Sequence, residues 1–526
     1  MIIDYLEKTE NRYPDRIAFE DPNCSITFGE LKKRARVYAA GLIEGKIRAG
    51  IKPINCADAV AFFMEKEVPC VPVMFGAMYA GAFYSFIDVR QTKERTLSIV
   101  GCLEPKIIVT NDENKAILEE ILKGTEYFEH IINISELEDY CRNVLSKCSE
   151  DVSLYSDDEN TLAIRRNLLT DTLPLYVNFT SGSTGVPKGV CVSNKSVIDF
   201  IEVFTKTFKI TDSDIIANQA PFDFDVSVKD IYSGLFTGAK VVLIPRPYFS
   251  NPSVLMDYLC NKKVTTCVWA VSAMCFVSIM NGLEYKTPTT INKVLFSGEL
   301  MPIKQLNKWR EFLPDAMYVN LYGPTEITCN CTYHILDREY EKGEVIPIGI
   351  PFENEKVFLL DDENRLIDKE DTEGEICVCG TCLALGYYKD TEKTDAAFMQ
   401  NPINKCFYER MYRTGDLGKL DAQGLLVYTS RKDFQIKHMG QRIELGDIEN
   451  SAMTIDGVQR ACCLYDDKKK KILLYYVGEA DKDFVADKLH DILPAFMIPG
   501  KTTKIDEFPL NKNGKIDRKE LFNLND

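Results

Sequence analysis

The sequence is poor in positive charge. Its 526 residues include 63 lysines and arginines against 79 aspartates and glutamates, so the formal net charge is −16. Proteins that bind nucleic acids or anionic membrane surfaces need a basic face that neutralises phosphate groups. The surplus of acidic residues therefore predicts that neither nucleic acid nor membrane is a partner.

The first residues of the chain do not have the pattern of a signal peptide, and the main apolar run is interrupted. The N-terminal stretch, MIIDYLEKTENRYP, has neither the basic nor the apolar region of a signal peptide. The main apolar stretch, residues 68–87, is interrupted by Pro69, Pro72, Gly76 and Gly81. We interpret it as a buried helix followed by a buried strand, although its length would span a bilayer. These features predict a cytoplasmic protein.

Metal-binding patterns are scarce. The chain has 18 cysteines but a lone Cys-x-x-Cys pair, Cys379 and Cys382, and its 4 histidines are scattered. A structural zinc site would need a second pair at a fixed spacing. Without an export signal the cysteines are expected to remain thiols and to serve as small buried apolar residues.

Helical and strand patterns alternate through most of the chain, which is typical of α/β proteins. A turn-rich strand region ends near residue 432. Shorter elements follow it: a helix from about Glu444, a strand at 471–478 and a helix near 481–492. The length allows more than one domain. We predict two, residues 1–432 and 433–526.

The stretch NFTSGSTGVPKGV, residues 178–190, carries the strongest chemical signal. It follows the strand-like segment LPLYVNF and combines hydroxyl side chains, glycines and one cation, Lys188. Glycines let backbone N–H groups crowd around an anion, and hydroxyls and a lysine add donors for phosphate oxygens. Pro187 before the lysine and Gly189 after it distinguish the stretch from a Walker A loop. We predict a phosphate-binding loop.

Two later motifs carry side chains suited to a purine and a metal ion. In NLYGPTE, which begins at Asn320, Tyr322 offers a flat face and Glu326 offers a hard oxygen ligand for Mg²⁺. In the motif SGE, Gly298 permits close approach of the backbone and Glu299 supplies an acceptor that would order the purine pocket.

The motif YRTGD ends at Asp416, whose carboxylate can accept both ribose hydroxyl protons. Arg431 is a candidate for the ribose or a phosphate. The alternatives are an ordinary turn residue for Asp416 and a surface charge for Arg431.

Together these motifs resemble those of the adenylate-forming superfamily, which includes adenylation domains of nonribosomal peptide synthetases, acyl-CoA synthetases and luciferases. The resemblance runs from about residue 25 to the end, with the motifs in the family's order. It implies an α/β fold: a large N-terminal domain of layered mixed β-sheets with helices and a small barrel-like part, and a small mobile α+β C-terminal domain. It implies ATP and Mg²⁺ as cofactors, with Glu326 as the metal ligand. The implied ATP-binding residues are Thr180, Ser181, Gly182, Ser183, Thr184, Gly185, Lys188, Gly298, Glu299, Asn320, Leu321, Tyr322, Gly323, Thr325, Asp416 and Arg431.

Two further roles follow from the resemblance. In the tail PLNKNGKIDRKEL, Lys515 resembles the family's catalytic lysine, and Asp433 resembles the hinge about which the C-terminal domain rotates. The family joins a carboxylic acid to AMP with release of pyrophosphate and then transfers the acyl group to a thiol. The resemblance implies these same two half-reactions.

The segment APFDFDVSVKDIY, residues 220–232, points to an amino acid as the carboxylic acid. Asp225 matches the aspartate with which amino-acid-activating members bind the substrate ammonium, and a buried carboxylate needs a cationic partner. Its alternative role is a helix N-cap. The pocket residues implied by the resemblance are Asp225, Val226, Lys229, Val268, Leu295, Ser297, Leu321, Cys329 and Asn330.

The pocket walls are moderately bulky and favour a small amino acid: alanine of either hand or serine first, aspartate or glutamate second. Segments such as LFSGELMP resemble D-alanine–carrier-protein ligases, although that group has a cysteine in place of Ser297 and an apolar residue in place of Lys229. Lys229 can pair with an acidic substrate side chain, or its stem can lie along the wall with the ammonium in solvent.

The leading hypothesis is an ATP-dependent ligase that loads an amino acid onto the phosphopantetheine thiol of a separate carrier protein. A separate carrier is expected because the chain ends at Asp526, soon after the lysine motif, and the alternative is a domain excised from a larger synthetase. An acid–CoA ligase is the alternative, and Asp225 counts against it. A non-catalytic nucleotide-binding protein of the same fold is the third hypothesis, although Lys515, Glu326 and Asp416 are all present.

Overall fold

The structure is a computed structural model that describes residues 1–148, 160–180, 187–341, 344–432, 435–509, 516 and 518–523. The chain forms two compact units. The first comprises Met1–Val89, Cys102–Asn178 and Gly189–Lys432, and the second comprises Arg90–Gly101, Phe179–Lys188 and Asp433–Asp526.

The helices begin and end at residues with clear local reasons. In the helix Phe28–Glu44, Thr27 and Glu30 form a capping box, and Gly45 ends the helix with a φ of 65°. Residues 160–166 are also helical. The helices with defined bounds are α1 (Ile3–Arg12), α2 (Phe28–Glu44), α3 (Cys70–Tyr79), α4 (Lys93–Leu103), α5 (Asp112–Leu122), α6 (Ile134–Cys148), α7 (Asn194–Thr207), α8 (Val226–Thr237), α9 (Pro252–Lys262), α10 (Val271–Ile279), α11 (Gly282–Tyr285), α12 (Ile303–Phe312), α13 (Thr391–Ala397), α14 (Leu445–Met453), α15 (Lys482–Ile492) and α16 (Arg518–Asn523).

The strands are mostly short and rich in β-branched and aromatic residues, as strand propensity favours. They are β1 (Ile17–Glu20), β2 (Ser25–Thr27), β3 (Ala59–Phe63), β4 (Phe83–Phe86), β5 (Ile107–Thr110), β6 (Ile131–Asn133), β7 (Pro174–Thr180), β8 (Lys188–Ser193), β9 (Ile215–Asn218), β10 (Lys240–Leu243), β11 (Thr266–Ala270), β12 (Lys293–Ser297), β13 (Met317–Tyr322), β14 (Thr332–Ile335), β15 (Ile350–Pro351), β16 (Glu355–Leu360), β17 (Leu366–Ile367), β18 (Gly374–Gly380), β19 (Gly386–Tyr387), β20 (Phe398–Gln400), β21 (Arg410–Leu420), β22 (Leu426–Arg431), β23 (Gln435–His438), β24 (Gln441–Glu444), β25 (Val458–Asp466), β26 (Lys471–Gly478) and β27 (Lys501–Lys504).

Two large sheets of the first unit have parallel inner strands. One has the strand order β19-β8-β7-β4-β3-β5-β6, and the other has β15-β14-β13-β12-β11-β9-β10-β1-β2. Antiparallel pairs lie toward the edges, as in β1–β2, β13–β14 and β8–β19. Strands β3, β4 and β11 are buried at every residue, as expected for strands covered on both faces.

A smaller antiparallel sheet completes the first unit. Its order is β17-β16-β18-β21-β20, with β22 paired to β21. Its β21–β22 pair matters for the site, because the register places Asp416 opposite Arg431.

The second unit has an α+β composition. Its sheets are β23-β24 and β25-β26-β27, and its apolar core includes Ile443, Leu474 and Leu489. The predicted helix from about Glu444, the strand at 471–478 and the helix near 481–492 are confirmed as α14, β26 and α15.

The layered mixed sheets with their helices confirm the predicted α/β class. The predicted buried helix and strand in residues 68–87 are α3 and β4. Over the ranges that the structure describes, none of the helices combines the length and apolar character that crossing a membrane requires.

Candidate active site

Four predicted pocket residues lie on three adjacent parallel strands. Val268 on β11 pairs with Leu295 on β12, and Ser297 at the end of β12 pairs with Leu321 on β13. All four residues are at most 4 % exposed. The carboxyl ends of parallel strands meet at one edge of the sheet, where ligands bind in open α/β folds. The structure therefore brings these four residues together on neighbouring strands, near the sheet edge at which a ligand can bind.

Asp225 lies just before helix α8 and is 6 % exposed. It occupies the N-cap position of that helix, but its side chain makes no capping hydrogen bond. Its backbone carbonyl accepts a hydrogen bond from the Cys329 thiol at 2.9 Å. Cys329 and Thr328 have φ values of 76° and 55°. Strained backbone of this kind is concentrated at ligand-binding segments.

Lys229 lies one helical turn beyond Asp225 and is only 1 % exposed. Its ammonium donates to Asn330 Oδ1 at 2.7 Å and to Ser297 Oγ at 3.5 Å. The alternative that this ammonium reaches solvent is therefore wrong. Burial lowers the pKa of Lys229. We refer to Lys229, Ser297 and Asn330 as the Lys229 wall.

A buried polar network adjoins the Lys229 wall, and no sequence motif reveals it. Lys66 Nζ donates to the Asn218 side chain and to three consecutive carbonyls from Asn218 onward, at 2.7–3.1 Å. Asn218 Nδ2 donates to Asp230 Oδ2 at 2.8 Å, and Asp230 Oδ1 is buried without a hydrogen-bond partner among the described residues. Burial lowers the pKa of Lys66 to about 7 and raises the pKa of Asp230 to about 7.

Tyr176 is a second residue that sequence reasoning missed. Its hydroxyl is buried and has no hydrogen-bond partner within the described part of the chain. It interacts electrostatically with Cys329 and Asp225, and its ring lies 5.8 Å from that of Tyr84. A tyrosine in a buried strand carries no sequence signal that separates a ligand-facing residue from a core residue.

Asp416, the predicted ribose anchor, has two opposite partners. Tyr322 Oη donates to Oδ2 at 2.5 Å, and the Arg431 guanidinium donates to Oδ1 at 2.6 Å. The Arg431 side chain is 10 % exposed, so its interpretation as a surface charge is wrong. Burial and the Asp416 charge raise the pKa of Tyr322 well above its usual value. We refer to Asp416, Tyr322 and Arg431 as the Asp416 cluster.

The Asp416 cluster leaves its carboxylate able to bind a ligand. Each carboxylate oxygen has a second lone pair, so ribose hydroxyls can donate to Asp416 beside the existing partners. The predicted purine platform, Tyr322, is held in place by its own hydroxyl. Asn320 on the same strand donates to the Pro347 carbonyl at 2.9 Å, which ties β13 to the loop that follows β14.

Two glycines shape the adjoining turns. Gly298 follows β12 with a φ of 100°, a conformation that favours glycine, and it precedes Glu299. Gly323 packs against backbone: a Cβ there would lie 2.5 Å from Asn330 Cα. The predicted Thr325 begins the 3₁₀ turn Thr325–Ile327 that follows.

The sequence matches a known enzyme family. The family of AMP-binding enzymes matches residues 6–388. The chain belongs to this family. That assignment confirms the resemblance to adenylate-forming enzymes and the predicted class of AMP-forming ligase.

Relatives of this AMP-binding enzyme include L-proline--[L-prolyl-carrier protein] ligase of Streptomyces coelicolor, which is 29 % identical, with 98 % of this chain and 94 % of that protein covered. D-alanine--D-alanyl carrier protein ligase of Listeria monocytogenes is 28 % identical, with 99 % and 98 % covered. Surfactin synthase subunit 1 of Bacillus subtilis is 29 % identical over 99 % of this chain, which spans only 14 % of that protein.

The fold of this AMP-binding enzyme also matches solved structures. The Vibrio cholerae adenylation domain AlmE in complex with glycyl-adenosine-5′-phosphate gives a TM-score of 0.80 at 19 % identity, with 100 % of this chain and 98 % of that chain covered. At this identity the likeness establishes the fold alone.

Glu326, the predicted magnesium ligand of the AMP-binding enzyme, offers a single buried carboxylate for that ion. It is 0 % exposed, and its Oε1 accepts a hydrogen bond from Tyr387 Oη at 2.9 Å. In nucleotide sites Mg²⁺ takes one or two protein carboxylates and completes its shell with phosphate oxygens and water. No group of three His, Cys, Asp or Glu side chains forms a metal cage in the described ranges, so an ion on Glu326 would need such substrate oxygens.

Two predicted phosphate-loop residues are described, and both belong to the second unit. Thr180 has a buried hydroxyl without a hydrogen-bond partner in the described sequence, and Lys188 pairs with Glu444 of the same unit at 3.6 Å. The remaining predicted residues that lie outside the described ranges are Ser181, Gly182, Ser183, Thr184, Gly185, Asp433 and Lys515.

Proposed function

We propose that this AMP-binding enzyme activates an α-amino acid with ATP and loads it onto the phosphopantetheine thiol of a carrier protein. The observation that carries this proposal is the buried Asp225 carboxylate, which makes no capping hydrogen bond to helix α8. A buried carboxylate favours binding of a cation, and the α-ammonium of an amino acid supplies one. Fatty and aryl acids carry no such group.

The relatives support the thiol acceptor. Two proteins similar to this chain over nearly their whole length are ligases for prolyl and D-alanyl carrier proteins by name. We extend that acceptor class to this chain. The amino acid has a compact side chain, in the range from alanine and serine to aspartate and glutamate, because bulky residues such as Leu295 and Leu321 line the pocket.

The first half-reaction joins two anions. A carboxylate oxygen of the amino acid attacks the α-phosphorus of ATP, the bond to pyrophosphate breaks, and an aminoacyl-adenylate remains. The substrate carboxylate is already a nucleophile, so no side-chain base is required. We assign Asp416 to the ribose hydroxyls, Tyr322 to the adenine, and Thr180 and Lys188 to the phosphates. Lys515 takes the family's role of stabilising negative charge in the transition state.

A magnesium ion on Glu326 would offset the charge of the triphosphate. In the second half-reaction the carrier thiol attacks the acyl carbon of the adenylate. The bond from that carbon to the phosphate oxygen breaks, AMP leaves, and the thiol proton passes to solvent. We propose that residues 433–526 form the mobile domain that separates the two half-reactions and that Asp433 is its hinge.

The test is amino-acid-dependent exchange of labelled pyrophosphate into ATP, measured with every proteinogenic amino acid in both configurations. We expect exchange with at least one compact amino acid. Asp225→Asn should lower kcat/KM for that amino acid by about 10²–10³-fold, because it removes one partner of a buried charge pair. Exchange only with carboxylic acids that lack an amino group, together with release of a CoA thioester, would establish the acid–CoA ligase instead.

A matched control is available two residues away. Asp223 lines a separate cavity with Asp88 and Arg246, and burial raises its pKa to about 7. An amide replaces such a carboxyl with little electrostatic change. Asp223→Asn should therefore leave the exchange rate within about twofold of the wild type, as is usual for a substitution outside the site.

A further inference from the structure

In the Lys229 wall, the ammonium forms no ion pair with the carboxylates that the structure describes. Lys229 Nζ has two neutral acceptors, the Asn330 amide oxygen and the Ser297 hydroxyl. Among the described residues, no carboxylate lies within ion-pair distance of this ammonium. Burying an ammonium that lacks a paired anion costs several kcal/mol, about the full penalty for one desolvated ion.

An apolar residue would fill the same space without that cost. Methionine or leucine has a volume close to the lysine stem, and replacing buried charges by apolar residues is often neutral or stabilising. A lysine at this position therefore favours a ligand whose negative charge offsets the desolvation. Because Ser297 and Asn330 are predicted pocket residues, the ligand that can reach the ammonium is the bound substrate.

The spacing along helix α8 fits one class of substrate. Asp225 and Lys229 are four residues apart, so they lie on one face of the helix with roughly 5–6 Å between their Cβ atoms. The proposed function gives Asp225 the α-ammonium of the amino acid. A side-chain carboxylate two or three carbons away would then reach the Lys229 ammonium, which Asn330 already orients.

We propose that Lys229 binds a carboxylate on the substrate side chain, so that the enzyme activates an acidic amino acid of the aspartate or glutamate class. This inference rests on the proposed function and selects among the substrates that function allows. An uncharged side chain would leave the Lys229 ammonium desolvated and without a counter-ion.

Asp225 and Asp230 both interact electrostatically with Lys229 and oppose the lowering of its pKa by burial, but neither forms an ion pair with the ammonium. Asp230 Oδ2 accepts from Asn218 rather than from Lys229, and Asp230 Oδ1 has no hydrogen-bond partner among the described residues. Burial raises the pKa of Asp230 to about 7, so its negative charge is incomplete at neutral pH.

The first test uses the wild-type enzyme in the exchange assay with aspartate and glutamate against asparagine, glutamine, alanine and serine, in both configurations. One acidic amino acid should exceed its own amide by about 10²-fold or more in kcat/KM, because a polar site strongly rejects an isostere that lacks the matching group. Alanine or serine as the best substrate would overturn this inference while upholding the proposed function. No exchange with any amino acid would overturn both.

The second test is Lys229→Met, in which the ratio of kcat/KM for the acid to that for its amide should fall to within about threefold of unity. An equal loss for both substrates would mark Lys229 as structural and overturn the assignment. Lys240→Met is the matched control, because Lys240 lies outside the pocket and its partner Glu20 keeps Lys262 at 2.6 Å. The control should retain the wild-type ratio. If Lys229→Met fails to fold, the wild-type panel still decides.

Discussion

The Asp416 cluster and the Lys229 wall are both buried charged groups in the first unit, but their charges are balanced differently. In the Asp416 cluster each carboxylate oxygen has a partner, Tyr322 on one side and Arg431 on the other. In the wall, the Lys229 cation has only neutral acceptors. The Asp416 carboxylate forms an ion pair with Arg431, whereas Lys229 forms none with the described carboxylates and interacts with Asp225 and Asp230 only at longer range.

This contrast matches the two kinds of ligand that we assign to them. Ribose hydroxyls are neutral, so a group that binds them needs a fixed acceptor and no net charge from the ligand. A charged substrate side chain instead supplies the missing half of an ion pair. The difference predicts that substitution lowers the free energy of unfolding strongly in the Asp416 cluster and changes it little in the Lys229 wall.

The largest expected effect is at the Asp416 cluster. Asp416→Ala leaves the Arg431 guanidinium buried without its carboxylate, which should lower the free energy of unfolding by about 3–5 kcal/mol. The measurement is urea unfolding followed by tryptophan fluorescence. Both tryptophans of the chain, Trp269 and Trp309, are fully buried in the first unit, so they report on the unit that contains the substitution.

An exposed ion pair provides the control for that experiment. Lys206 and Glu353 pair at 2.8 Å with side chains that are 69 % and 68 % exposed. Glu353→Ala should change the free energy of unfolding by no more than about 1 kcal/mol. A similar small effect of Asp416→Ala would contradict the view that its cluster is a completed, stabilising unit.

The next largest expected effect is on the pH dependence of stability, and it comes from Asp230, which is next to Lys229 in the sequence. Burial raises the pKa of Asp230 from 3.8 to about 7, so between these values the folded protein keeps a proton that the unfolded chain has lost. This group therefore makes the free energy of unfolding fall as pH rises from about 4 to about 7. Asp230→Asn cannot titrate and should lack that fall. Its stability relative to the wild type should rise by up to about 1.4 kcal/mol per pH unit, measured at pH 5 and 7. Parallel pH profiles for the two proteins would refute the raised pKa.

The smallest expected effect is at the wall itself. Lys229→Met removes one hydrogen bond to Asn330 but also removes the cost of burying an ammonium, so the free energy of unfolding should change by less than about 1 kcal/mol. The same fluorescence-detected urea transition measures it. A decrease of about 3 kcal/mol or more in the free energy of unfolding would show that Lys229 is stabilised by an anionic partner within the protein. The two groups would then not differ in the way we infer.

Elements with local signals could be predicted from the sequence. The strand at 471–478 has the predicted bounds, because charged and glycine residues flank a short continuous apolar run. The helix-then-strand interpretation of residues 68–87 also holds, because Pro69 precedes the helix and Gly81 separates it from the strand, although the other proline and glycine of this stretch lie within the helix. Asp416 stands out as a candidate for the same reason: it belongs to a short, contiguous motif.

Site residues that belong to short contiguous motifs could be predicted from the sequence, whereas contacts between distant segments could not. Lys66 is separated from Asn218 by 152 residues, and Lys229 is separated from Asn330 by 101. No periodicity or local spacing encodes such contacts. Whether the Lys229 ammonium lies in solvent or in the protein is decided by residues on distant strands, so the choice between those alternatives required the structure.

The close packing at Gly323 has a consequence for both substrates. Any side chain at this position would push on the backbone of Asn330, because a Cβ would already lie 2.5 Å from its Cα. The turn that follows strand β13 thus lies against Asn330, the residue that accepts a hydrogen bond from Lys229. A substitution there would raise the Michaelis constants for the nucleotide and for the amino acid together. Redesign of substrate choice in this enzyme must keep that turn unchanged.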